Sequence, residues 1–364
     1  MANMAKDSIK GKAWVIAADM GYGHQRTAYP LKDTSPYQEI INANNYAGMP
    51  EKDKKIWRQS KAFYEFASRF RRIPIIGILL FIFLDSFQRI MGYYPKRDLS
   101  KSSFSLKMIF SLIRKGWGRD LIKKLNKNPV PIITTFFTPA FMAEYNDYLG
   151  DIYCVICDAD IARSWVPLNP QKSEIKYFAP CSWARDRLKL YGVKHENIIF
   201  TGYPLPKENI GGQSMAVLKK DLSHRIVNLD PKGKYRRLYS PLLKRHLGQL
   251  PKFSNHPLTL MFSIGGAGAQ KEIALEITNN LKEEIKAKKL RMIISVGTRK
   301  ELEKYFEEGI KGLHLDGWVH VIYGNNIAEY FEKFNKALRT TDILMTKPSE
   351  LSFYAGLGIP IIIE

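Results

Sequence analysis

The sequence predicts an α/β protein built as two Rossmann-like domains, and three observations carry that expectation. Short apolar runs alternate with helix-like stretches in two separate series. Each series opens on a strand, a glycine loop and a helix, and Thr201-Gly-Tyr-Pro-Leu-Pro206 followed by a basic stretch separates them. Strands alternating with helices imply βαβ units and parallel sheets. The 364 residues also suit two domains, since a single core seldom grows far beyond 250 residues. The expected boundaries are a first domain over 1–206, a basic linker or insertion over 207–257, and a second domain over 258–364.

The first strand reads Ala13-Trp-Val-Ile-Ala-Ala18, an apolar run of the kind buried in parallel sheets, followed by a glycine turn and a helix from Gln25. Tyr37–Ala43 reads as a strand, Lys52–Phe70 as a long helix, and Phe104–Leu125 as another. Val130–Phe136, Asp151–Cys157, Lys176–Ala179 and Ile198–Gly202 supply strands, with a helix over Trp183–Tyr191. The second series starts at Leu258–Ile264. It continues through helix Lys271–Ala287, strand Arg291–Val296, helix Lys300–Phe306 and strand Trp318–Tyr323. Helix Ile327–Leu338, strand Ile343–Thr346, a short helix from Ser349 and strand Ile359–Ile363 complete it. The chain stops at Glu364 directly after an apolar strand, so the second domain is read as incomplete.

The composition, 45% hydrophobic and 25% charged, excludes disorder, collagen and coiled coil. Three cysteines exclude a disulfide scaffold and favour a reducing compartment. Met1–Lys12 lacks the apolar region of a signal peptide. The net charge of +21 is unevenly placed: residues 1–130 hold 24 Lys and Arg against 10 Asp and Glu, and 207–257 hold 11 against 3.

A basic surface attracts nucleic acid, anionic lipid or an acidic substrate. Its surroundings favour lipid. Arg69, Arg71, Arg72 and Arg89 flank Ile73–Leu84, twelve residues without a polar side chain. That run is too short to span a bilayer, which takes about 20 apolar residues, but it suits a segment dipping into an anionic leaflet. Residues 70–92 are therefore expected to associate with a membrane through Ile75, Ile76, Leu79, Leu80, Phe81 and Phe83. The competing reading is a buried core helix. A second basic stretch contains Lys219, Lys220, Arg225, Lys232, Lys234, Arg236, Arg237, Lys244 and Arg245, with Tyr235 and Tyr239 among them. It reads as a solvated linker or a lipid-headgroup patch. No zinc-finger, RNP or helix-turn-helix pattern accompanies it, and no nucleic-acid partner is expected.

Three loops carry candidate chemistry. Gly21-Tyr22-Gly23-His24 lies at the carboxyl end of the first strand, where open α/β sheets bind ligands, and an imidazole there can accept a proton from an attacking hydroxyl. The bland alternative is a helix-capping turn. Gly265, Gly266, Ala267, Gly268 and Ala269 follow the first strand of the second series, where backbone N–H groups at a helix start suit a diphosphate. The loop is neither a Walker A sequence nor a GxGxxG. Thr346-Lys347-Pro348-Ser349-Glu350 ends another strand, and the Glu350 carboxylate either favours the helix start or accepts hydrogen bonds from ribose hydroxyls. Asp158 and Asp160 stand at a strand's carboxyl end as a candidate base or sugar contact, against ordinary solvation. Cys154 and Cys157 lie three apart on one strand, so strand packing is favoured over zinc.

Together, Gly21–Ala28, Ile198–Pro204, Phe262–Gly268 and Asp342–Pro348 with Gly358-Ile-Pro360 resemble the GT-B glycosyltransferases. The resemblance is to the family-28-like group that includes the peptidoglycan GlcNAc transferase and monogalactosyldiacylglycerol synthase. It implies two Rossmann-like domains facing across a cleft, an acceptor-binding first domain and a nucleotide-sugar-binding second domain. By that resemblance His24 is the base, with Asp158 or Asp160 as the alternative. Gly265–Ala269 hold the donor diphosphate, Glu350 approaches the ribose beside Lys347 and Ser349, and the backbone near Tyr323 and Gly324 meets the uracil. Ser349 and Glu350 replace glycines of the family pattern. The implied activity moves a hexose or N-acetylhexosamine from a UDP-sugar to a hydroxyl of a lipid-linked or amphipathic acceptor. No metal or cofactor is expected, and the place of action is the cytoplasmic face of a membrane. The alternatives are a UDP-GlcNAc 2-epimerase-like enzyme and a non-catalytic basic membrane-binding protein.

Overall fold

The computed structural model describes residues 12–70, 89–264, 271–347 and 350–363. They form two compact units, 1–204 and 205–364, each built on one parallel sheet. Among the described residues no helix is long and apolar enough to cross a membrane. Ile75, Ile76, Leu79, Leu80, Phe81 and Phe83 lie outside the described residues, as do Gly265–Ala269 and Ser349.

The first unit runs β1 (Trp14–Ala17), α1 (Tyr22–Ala28), β2 (Ile40–Asn42), α2 (Glu51–Phe70), α3 (Phe104–Arg114) and α4 (Arg119–Leu125). Then come β3 (Ile132–Thr134), α5 (Phe137–Tyr145), β4 (Ile152–Val155), β5 (Lys176–Ala179), α6 (Ser182–Leu190) and β6 (Ile198–Phe200). The strand order is β2-β1-β3-β4-β5-β6, every pair parallel. Strand β1 is covered on both faces, which its unbroken apolar sequence requires. Val15 and Ala17 pack with Ala28 of α1, while Ile16 enters the main core.

The sequence predicts one helix over 104–125, but the chain breaks it in two. Gly116 and Gly118 adopt positive φ of 97° and 83°, and Trp117 between them is buried against Trp57 at 4.8 Å. A Cβ on Gly118 would stand 2.2 Å from Met142 Sδ, and a left-handed backbone disfavours any side chain. Gly118→Ala is expected to cost about 2 kcal/mol, read as a lower urea midpoint for the first unit.

The second unit runs α7 (Lys207–Ile210), α8 (Ala216–Leu229), α9 (Lys234–Leu238), α10 (Ser240–Leu247), β7 (Leu258–Ser263), α11 (Lys271–Asn280) and α12 (Lys282–Lys286). It continues through β8 (Leu290–Gly297), α13 (Lys300–Gly312), β9 (Val319–Tyr323), α14 (Ile327–Leu338), β10 (Ile343–Thr346), α15 (Leu351–Gly356) and β11 (Ile361–Ile363). Its strand order is β11-β10-β7-β8-β9, again all parallel. Helix α14 keeps its predicted bounds because Tyr330, Phe331, Phe334 and Leu338 recur at helical spacing and all are buried. The predicted helix over 271–287 is instead two, divided at Leu281.

Within the segment 207–257, expected as a basic linker or insertion, residues 207–247 carry the helices α7–α10, and α8 buries Ser223, Arg225 and Val227 in the second unit. Arg225, read as part of a basic patch, is buried. It donates to the carbonyls of Leu338, Thr341 and Leu357 at 3.2, 2.8 and 3.0 Å. Leu338 closes α14, Thr341 lies just beyond it and Leu357 caps α15, so Arg225 gathers carbonyls at the carboxyl ends of two helices, where intrahelical partners run out. Asn228, also on α8, donates to the buried carboxylate of Asp342 at 2.8 Å.

Candidate functional site

In each sheet the chain leaves the opening strand on one side and later returns on the other. The carboxyl ends flanking that reversal form the crevice where open α/β sheets receive ligands. In the first sheet the reversal lies between β1 and β3.

His24 stands at that crevice, in the first turn of α1 rather than in a loop before the helix. Helix α1 starts at Tyr22, and Gly21 is its N-cap with φ 122°. The His24 Nδ1 lies 2.8 Å from the Thr135 carbonyl, just past β3. A carbonyl only accepts, so Nδ1 carries the proton and Nε2 is left with its lone pair. The Thr135 hydroxyl returns a bond to the His24 carbonyl at 2.8 Å, and the ring packs edge-on against Phe136 at 4.7 Å. Desolvation in this packing pushes the imidazole down to about 4, partly opposed by the Thr135 bond. The residue keeps some accessible surface and is neutral at pH 7.

Cys157, just past β4, places its sulfur 3.5 Å from His24 Nδ1 and donates to the Thr135 carbonyl at 3.1 Å. Burial pushes that thiol up, so it stays protonated and is no nucleophile. Thr27 shares a 2.7 Å hydrogen bond with Tyr203, tying the Thr201–Pro204 turn to α1.

Asp158 and Asp160 fare differently. Asp158 is exposed, and local crowding raises its pKa by desolvation. Asp160 is committed to structure and does not suit the base assigned to it. Arg187 grips both its oxygens at 2.7 Å, Trp183 Nε1 donates at 2.8 Å and the Ile161 N–H at 2.9 Å. Desolvation would raise its pKa, but these donors together outweigh it and hold the carboxyl below its ordinary value. Asp160 therefore positions the loop after β4.

In the second sheet the reversal lies between β7 and β10, which pair as Ser263 with Thr346. The loops that leave these two strand ends are the two that the sequence singles out for a nucleotide. Lys347 is half-buried directly after β10. Glu350 is the N-cap of α15 and not part of its first turn. It holds φ 57°, a left-handed conformation unusual for a residue with a side chain, and its carboxylate accepts from the Tyr354 hydroxyl at 3.2 Å. Gly324 has a packing reason of its own, since a Cβ there would stand 2.4 Å from the Tyr330 nitrogen. Its N–H donates to the Gly297 carbonyl at 3.1 Å, and the Tyr323 carbonyl accepts from Lys333 at 2.9 Å.

A cavity of about 710 Å³ lies around the amino ends of β7–β10 and along the edge strand β9. His320, Val321, Ile322, Tyr323, Arg291 and Lys336 are among its lining residues. Of the residues expected at the donor nucleotide it includes Tyr323, but not Gly324, Lys347 or Glu350.

Thr135, Phe136, Cys157 and Arg187 escape the sequence reading as site residues. The one signal available for the first three was their position just past a strand's carboxyl end.

Fold and site define a protein of two Rossmann-like α/β units, with a neutral imidazole at the switch point of the first sheet. A domain of unknown function, DUF6938, matches residues 251–316 and 300–362. No curated protein matches the sequence. Among solved structures, the chain is similar to the UDP-GlcNAc 2-epimerase from Neisseria meningitidis bound to UDP-GlcNAc, at 15% identity and TM-score 0.39. That likeness covers 75% of this chain and 66% of the other, so the chain spans just under two thirds of that enzyme. It is similar to the Methanocaldococcus jannaschii UDP-GlcNAc 2-epimerase in complex with UDP-GlcNAc and UDP at 13% identity and TM-score 0.40, over 97% and 83% of the two chains. The lipopolysaccharide outer core galactosyltransferase WaaB, in its apo form, matches at 11% identity and TM-score 0.32, over 71% and 62%.

Proposed function

We propose that the chain is a UDP-sugar-dependent glycosyltransferase of the GT-B, family-28-like type, acting on a hydroxyl of a lipid-linked or amphipathic acceptor at the cytoplasmic face of a membrane. The observation that carries this reading is His24. Its Nδ1–H is fixed on the Thr135 carbonyl, which presents Nε2 as a proton acceptor at the switch point of the first sheet. The motif resemblance, from Gly21–Ala28 to Gly358-Ile-Pro360, supports the choice of donor.

In this reading the acceptor oxygen attacks the anomeric carbon of the sugar. The bond from that carbon to the diphosphate oxygen breaks, UDP leaves with the electron pair, and the hydroxyl proton passes to His24 Nε2. Backbone N–H groups following β7 meet the charge that grows on the diphosphate. Glu350, held at the N-cap of α15, accepts from the ribose hydroxyls.

The test is isothermal titration of UDP against the whole chain and against Glu350→Ala. UDP binds the natural chain, and the variant binds about tenfold more weakly, the loss of a charged hydrogen-bond acceptor worth roughly 1.5 kcal/mol. Equal binding by the two forms removes Glu350 from the nucleotide site. No binding by either removes UDP.

A further inference from the structure

Helices α9 and α10 carry a face that the rest of the second unit leaves uncovered. Tyr239, at φ −105° and ψ 19°, joins α9 to α10, and backbone bonds bridge the junction: its N–H donates to the Tyr235 carbonyl at 2.9 Å and its carbonyl accepts from the Leu243 N–H at 3.0 Å. Tyr235, Leu238, Tyr239 and Leu242 follow i, i+3, i+4, i+7, the spacing of a stripe that helices ordinarily turn to a core. Here the stripe is turned to solvent: the four residues are 47, 73, 42 and 51% exposed, while Leu243 beside them is buried and roots the helix. Phe253, further along the same basic segment, is 74% exposed with Lys252 Nζ 5.4 Å from its ring centre.

The charge around the stripe has one sign. Residues 231–257 contain seven Lys and Arg and no Asp or Glu. Arg236 pairs with Asp230 at 3.3 Å, but Lys232, Lys234, Arg237, Lys244 and Arg245 are exposed around the two helices.

We infer that this face docks on an anionic lipid surface, with Leu238 and Leu242 entering the headgroup boundary and the surrounding cations meeting lipid phosphates. An outward apolar stripe edged by Lys and Arg is the build of a helix lying in a membrane interface. A second copy of the same face would set cations against cations, which argues against self-association. A nucleic acid would satisfy the cations and the tyrosines but would leave the two leucines without a role. The inference deepens the membrane part of the proposed function and rests on that part alone, not on the donor chemistry.

The test uses the full chain with Leu238→Cys in a Cys181→Ser background, since Cys154 and Cys157 are buried. The new thiol carries an environment-sensitive nitrobenzoxadiazole label. Vesicles of phosphatidylglycerol and phosphatidylcholine are expected to shift its emission to the blue and at least double it, while phosphatidylcholine alone leaves it unchanged. The Leu238→Glu, Leu242→Glu double variant is expected to bind the anionic vesicles at least tenfold more weakly. Three results would overturn the inference. They are a silent label while the chain sediments with vesicles, no sedimentation at all, and a response to single-stranded RNA equal to that for anionic vesicles. None of these results alters UDP titration, so the donor reading stands or falls separately.

Discussion

His24→Ala is expected to lower the rate of sugar transfer about a hundred- to ten-thousandfold, the range for losing a positioned general base. UDP affinity should hold, because the proposed nucleotide loops belong to the other unit, 205–364. The pH behaviour follows from the direction of the shift. The imidazole is held down to about 4 chiefly by desolvation, so its neutral, proton-accepting form persists well below the usual histidine range. Transfer by the natural chain should therefore keep its rate from pH 8 down to about 5, where an unperturbed histidine would already be protonated. Initial-rate assays across that range, with circular dichroism to confirm that the variant is folded, check both statements.

The second large effect belongs to stability. Asp160→Ala strips the counter-charge from Arg187, whose side chain is 2% exposed beside an Asp160 that is 24% exposed. Leaving a buried charge unpaired costs about 3–5 kcal/mol, and the partial exposure of Asp160 puts the expectation near the lower bound. The carboxyl pKa in the folded chain lies below its ordinary value, so its stabilisation is fully present above about pH 4 and is lost as pH falls through the folded value. Denaturant midpoints should thus separate the variant from the natural chain by a constant gap between pH 6 and 8. The gap should narrow below pH 4.

How much of this was legible in the sequence depended on how local its cause was. Helix α14 and strand β10 fall at their predicted bounds because periodicity and the Asn326 cap are local, the cap accepting from the Glu329 N–H at 3.0 Å. The break at Gly116–Gly118 was missed because residues 104–125 continue a helical pattern on either side. What stops the helix is the docking of Trp117 against Trp57, a tertiary contact. Helix α8 read as part of a basic linker because Arg225 looks like any surface cation, and only the carbonyls of Leu338, Thr341 and Leu357 draw it inside.

The same contrast runs through the candidate site. A glycine turn with a histidine after an apolar strand could be read directly from the sequence. The bond that sets the His24 tautomer joins residues 111 apart, and the grip of Arg187 on Asp160 joins residues 27 apart. Neither left a signal in sequence spacing, so Asp160 read as a free carboxylate when it is a structural one.

The central claim is transfer of a sugar from a UDP donor to a lipid acceptor, and one product assay tests it most directly. The chain is incubated with radiolabelled UDP-glucose, UDP-galactose or UDP-GlcNAc and with vesicles of phosphatidylglycerol and phosphatidylcholine containing diacylglycerol or a polyprenyl-linked sugar, and the organic and aqueous phases are separated. The account predicts label in the organic phase with stoichiometric release of UDP, both lost in His24→Ala. Label that stays in the aqueous phase as an epimerised or unchanged nucleotide sugar, from a chain that binds UDP, would contradict it.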